Sequence, residues 1–215
     1  MPYEVRLTIF IILCVIVFAL LIFWIIYPLI KKKILSARYK QFYYRYVERV
    51  VNYNDYYLIN NLSFDAGDSK TLTIDHLIGG NKFIYVIIDY YIDGGMKINP
   101  LDPIAYLYKK NDVKVQMANP LQVVSHSMNK LSSISGISSD FLVGIVLAND
   151  DANINLIENS QSNVNIVKLR DLSKFVTNYE KKPVSVFVPR QLWQAIQDLH
   201  TIKENVQSRN NKENK

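Results

Sequence analysis

The chain has 215 residues, 25 Lys and Arg against 19 Asp and Glu, a net charge of +6, and one cysteine. The length allows a single domain with a proper core plus an appendage, and one Cys excludes a disulfide framework or a multi-cysteine metal site. Lys31, Lys32, Lys33, Arg38, Lys40, Arg45 and Arg49 face only Glu48 across residues 31–54, so the whole +6 lies there and the rest of the chain balances. A balanced remainder does not give the basic footprint of a nucleic-acid-binding face.

The first element is a membrane anchor. Residues 1–6 form a short extracytoplasmic start, and from Leu7 to Ile30 no residue is charged. At about 1.5 Å per residue, the 7–30 run covers a hydrocarbon core of roughly 30 Å. Trp24 and Tyr27 sit near its far end, where amphipathic rings favour the headgroup level. No small-residue cleavage site follows, so the run does not fit a signal peptide, and Cys14 lies in mid-span. Glu4 and Arg6 cancel before the span, whereas Lys31, Lys32 and Lys33 follow it. The positive-inside rule then puts the C-terminal part in the cytoplasm, with those lysines attracted to anionic lipid.

Residues 31–44 are a basic juxtamembrane segment in which Ser36 caps a helix running to about Asn52. Tyr43, Tyr46, Val47, Val50 and Val51 form its apolar stripe. Three strands follow, Tyr56 to Phe64, Thr71 to Leu77 and Phe83 to Asp89, separated by turn residues at 65–68 and at Gly79-Gly80-Asn81. The third is apolar on both faces, as in a covered central strand. Asp93-Gly94-Gly95 breaks the chain, and 96–118 reads as short strands or a hairpin. Asn119-Pro120 opens a helix with Leu121, Val124, Met128 and Leu131 on one side. Phe141 to Leu147 is a buried strand; Asn153 to Ile157 and Val164 to Lys168 are shorter ones. Asp171 starts a brief helix and Pro189 a longer one carrying Leu192, Ala195, Ile196, Leu199, Ile202 and Val206. The domain is expected over 45–180, a C-terminal helical segment over 181–207, and a polar tail over 208–215.

Asp75 within the second strand and Asp89 at the end of the third are the candidate chemistry. Adjacent antiparallel strands can bring two carboxylates to one edge, where they can hold a divalent cation through oxygen. His76, next to Asp75 in the strand, points to the opposite face and reads as packed or solvated rather than as a ligand. His126 and His200 read as helix-surface residues, and the 15 tyrosines as filling strand faces.

Val47-Glu48-Arg49-Val50, Ile74-Asp75-His76-Leu77-Ile78-Gly79-Gly80, Phe83-Ile84-Tyr85-Val86-Ile87-Ile88-Asp89 and Asn119-Pro120-Leu121-Gln122 together resemble the nuclease-related domain (NERD) family. That family belongs to the PD-(D/E)XK restriction-endonuclease-like superfamily, and the resemblance spans roughly residues 45–176. It implies an α/β fold with a restriction-endonuclease-like core of helix, three strands, helix and strand. It also implies catalytic positions at Glu48, Asp75, Asp89 and Gln122, with Asp75 and Asp89 binding Mg²⁺ if the site is active. The family's motif Lys falls on Tyr91, and a phenol supplies no positive charge near neutrality. Lys97, after a flexible turn, is the candidate substitute cation. The expectation is a catalytically degenerate module that binds nucleic acid, DNA or RNA, or a protein partner at the cytoplasmic membrane face. The alternatives are an active metal-dependent tethered nuclease and a membrane scaffold without nucleic-acid contact.

Overall fold

The structure is a computed structural model that describes residues 3–65, 71–109, 113–157, 163–188, 190 and 192–201. The expected turn over 66–68, the helix start at Pro189, Ile202, Val206 and the tail lie outside the described residues. The chain divides into two compact units, Met1–Phe42 and Tyr43–Lys215.

The first unit is dominated by α1, a continuous 35-residue helix from Tyr3 to Ala37. It runs through Ser36, so that residue does not cap a new helix; the break falls at Arg38, and α2 (Tyr39–Asn54) begins just after it. The described apolar side chains of α1, among them Phe18, Trp24 and Ile30, are exposed. Among the described residues, no helix is long and apolar enough to cross a membrane.

The second unit is a mixed α/β fold with two sheets. The first has the order β1-β2-β3-β7-β9, where β1 is Tyr57–Asp65, β2 Thr71–Gly79, β3 Ile84–Tyr90, β7 Leu142–Ala148 and β9 Val164–Lys168. β1, β2 and β3 pair antiparallel as a meander, whereas β7 runs parallel to both β3 and β9. α3 (Pro120–Ser135) makes the crossover to β7 and packs on it through Val124 and Met128. Its start is fixed by Asn119, whose side chain accepts from Leu121 N at 3.0 Å and donates to the carbonyls of Asn99 and Asp102. β3 and β7 are buried on both faces, as the unbroken apolar runs predict.

On α2, Tyr43, Val47, Val50 and Val51 are buried, but Tyr46 is not. The Tyr43 hydroxyl donates to the carbonyl of Tyr90 at the end of β3. α4 (Leu172–Glu180) follows β9, and residues 192–201 return as helix with Leu192, Ile196 and Leu199 in the main core. The C-terminal segment is thus part of the domain's packing.

The second sheet has the order β6-β5-β4-β8, with β4 at Gly95–Ile98, β5 at Ile104–Tyr108, β6 at Lys114–Ala118 and β8 at Asn153–Leu156. β4, β5 and β6 form a meander, and β8 adds parallel to β4. Gly94 makes the passage into this sheet at φ +124°, where a Cβ would collide with the Tyr108 carbonyl. Asn149, just after β7, clamps the incoming chain by accepting from Ile92 N at 2.8 Å and donating to Ile92 O at 3.1 Å.

Candidate functional site

Residues Asp75, His76 and Asp89 are all buried, and they meet where β2 and β3 begin to separate. His76 pairs with Ile87 across the antiparallel ladder, so Asp89, two residues further on, shares its face. The ring Nε2 lies 3.1 Å from Asp89 Oδ2, with the two side chains 5% and 1% exposed. An ionised carboxylate and an amide oxygen both only accept, so each ring nitrogen of His76 faces an acceptor. On the other side, Nδ1 lies 2.5 Å from the side-chain oxygen of Asn60, the residue directly across β1. The Tyr44 ring of α2 stands 6.4 Å from the imidazole.

Asp75 points to the other face of β2 and acts on the backbone. Its Oδ2 accepts from Asp89 N at 2.9 Å, beyond the last ladder pair of β2 with β3. The carboxylate therefore supplies the acceptor that the strand pairing no longer provides. An N–H buried without one would cost about 1–3 kcal/mol.

The two acids are adjacent, and each carries a bond to the chain itself. One oxygen of each carboxylate meets an internal N–H, and among the described residues there is no group of three or more His, Cys, Asp or Glu that could hold a metal.

Glu48 is half-buried on α2. The Gln122 side chain donates to Pro100 O at 2.5 Å and lines a concavity of about 390 Å³ with Leu101, Pro103, Asn119 and His126. Tyr91, half-buried, directly follows β3. Lys97 is exposed on β4 of the second sheet, opposite Tyr106 on one side and Asn155 on the other.

Sequence reasoning missed His76 as the partner of Asp89 and Asn60 as the partner of His76. The signal was present: a polar residue in mid-strand with an acid ending the next strand places both on one face once the register is known. A second, partly buried polar knot also went unforeseen. The Tyr85 hydroxyl donates to Glu180 Oε1 at 2.8 Å, and Lys82 N donates to Glu180 Oε2 at 2.9 Å. Burial pushes the Glu180 carboxyl above its ordinary range, against the pull of those donors. Burial and the nearby Glu180 also raise Tyr85 and Tyr56. This knot fastens α4 to the β2–β3 turn. Compared with protein-family models, curated proteins and solved structures, the chain matches none.

Proposed function

We propose that this protein is a membrane-anchored, nuclease-related module whose acidic site is closed on itself, so that it holds a nucleic-acid or protein ligand without cutting. The observation carrying this reading is the internal bonding of both acids: Asp75 to the Asp89 N–H, and Asp89 to the His76 ring. The order α2, β1, β2, β3, α3, β7, with β7 parallel to β3, supports the restriction-endonuclease-like core. Tyr91 at the position of the family's motif Lys leaves no cation there to offset charge developing on a phosphate.

The anchor is proposed from the sequence. The uncharged run 7–30 lies inside a single unbroken helix, and Lys31, Lys32 and Lys33 follow it. That arrangement suits a span with the domain at the cytoplasmic face, with the lysines against anionic headgroups. The test is cleavage. The full chain in detergent, given DNA or RNA with Mg²⁺ or Mn²⁺, is expected to show no nuclease activity above a protein-free control. Cutting that Asp75→Asn abolishes would replace this reading with that of an active metal-dependent enzyme.

A further inference from the structure

The four strands of the second sheet read Gly-Met-Lys-Ile, Ile-Ala-Tyr-Leu-Tyr, Lys-Val-Gln-Met-Ala and Asn-Ile-Asn-Leu. Strand period two divides them into two unlike faces. One carries Met96, Ile98, Ala105, Leu107, Met117 and Ile154, which belong to or pack against the core. The register gives the other face two four-residue ladders, Lys114, Tyr108, Gly95 and Asn153, then Gln116, Tyr106, Lys97 and Asn155, with the pair Ile104 and Ala118 beyond them. None of the four strands contains an acid. A domain whose charges cancel in sequence thus presents one sheet face with two lysines, two tyrosines and three side-chain amides.

We propose that this face is a platform for single-stranded nucleic acid. Its parts have distinct tasks. Tyr108 is 39% exposed and has Gly95 directly across the ladder, where no side chain stands against its ring. The gap is a shallow concavity of about 320 Å³ lined by Gly95, Met96, Lys97, Tyr108, Asn153 and Asn155. A base can lie against an exposed aromatic ring there, with its edge within reach of amides that both donate and accept. Lys97 is exposed beside this concavity. Lys114 is held over the Tyr106 ring, 3.8 Å from its centroid, which fixes a positive charge on the other side of Tyr108. A stacking ring between two cations, with polar edge-readers and no acid on the strands, is complementary to a phosphodiester strand with its bases unpaired. A duplex hides the base faces that this surface would use.

The site is a different surface from the acid cluster, and it stands whether or not that cluster cuts. Fluorescence anisotropy of the full chain in detergent, with short fluorescein-labelled oligo-dT, oligo-rU and a duplex, tests it. Single strands of either sugar should bind more tightly than the duplex. Tyr108→Ala should weaken binding about tenfold and Tyr108→Phe should not, because the ring face does the stacking. Lys97→Gln and Lys114→Gln should each flatten the salt dependence by roughly 0.7 in log–log slope. These side chains face solvent, and an unchanged thermal melt confirms that each variant folds. A variant with Lys31, Lys32 and Lys33 all changed to Gln separates this site from the juxtamembrane basic segment. The proposal falls if that variant alone loses binding, if the duplex binds as well as the single strands, or if Tyr108→Ala binds like the native protein.

Discussion

At the scale of single residues, the acid cluster makes opposite demands on stability and chemistry. A carboxylate retained only for catalysis can be removed with little loss of fold. Asp75 is not of that kind, because it satisfies a buried backbone N–H. Asp75→Ala is expected to destabilise the domain by about 1–3 kcal/mol, and Asp75→Asn, which keeps an oxygen acceptor, by clearly less. Urea unfolding at neutral pH checks this, and equal stability of Asp75→Ala and the native chain would refute the backbone role. Glu180 gives a pH-dependent counterpart. Its carboxyl is raised in the folded state, so the fold favours the protonated form. The stabilisation it gives is complete below its unfolded pKa and is lost as pH rises through the raised folded value. Relative to Glu180→Gln, which stays neutral, the native chain should lose stability as pH climbs from the acid range toward neutrality. A pH series of thermal melts on both proteins would show it, and parallel curves would contradict it.

At the scale of elements, the strands and helices were legible wherever periodicity and turn chemistry agreed. The meander of β1, β2 and β3, the buried β7, and α3 opening at Asn119-Pro120 all follow from alternation, apolar runs and a cap. What periodicity cannot supply is which strands adjoin. The division of the short strands into a separate sheet depends on β8 joining β4, a pairing between residues far apart in sequence. The bond between His76 and Asp89 depends on register in the same way. The start of α2 was misplaced because Ser36 has the chemistry of a cap, yet α1 passes through it. Packing between elements yields a sharp test at Gly144 of β7. A Cβ there would meet Met128 Sδ and Val124 Cγ1 of α3, each at 2.5 Å. Gly144→Ala should cost about 1–3 kcal/mol through overpacking and should be partly relieved by Val124→Ala. A double-mutant cycle in denaturant reads that coupling.

For the whole molecule, the unanswered expectation is topology. The sequence puts the domain behind an uncharged run and a basic flank, and the expectation from the positive-inside rule is that residues 36–215 are kept from the outside. Protease added to intact cells should leave the domain whole, and it should degrade the domain once the membrane is opened. Digestion in intact cells would reverse the orientation. The C-terminal segment belongs to this scale too, because Leu192, Ile196 and Leu199 complete the core. Ending the chain at residue 188 removes all three from it. At about 1.5–3 kcal/mol for each fully buried side chain, such a truncation should leave the domain unfolded or barely stable by circular dichroism.

The parallel pairing of β3 with β7 also sets the order of assembly. Ile84 pairs with Leu142, and the residues between them include β4, β5, β6 and α3. As the chain leaves the ribosome, β1, β2 and β3 can zip up as they emerge, but the far side of β3 then waits. Its side chains are buried on both faces in the finished protein, so the half-made sheet presents an apolar strand with an open hydrogen-bonding edge. Long-range parallel pairing is slow because loop closure comes before any contact repays it. The nascent domain is therefore most vulnerable to self-association while residues 91–141 are being made. Slowing synthesis across that stretch would lengthen the exposure.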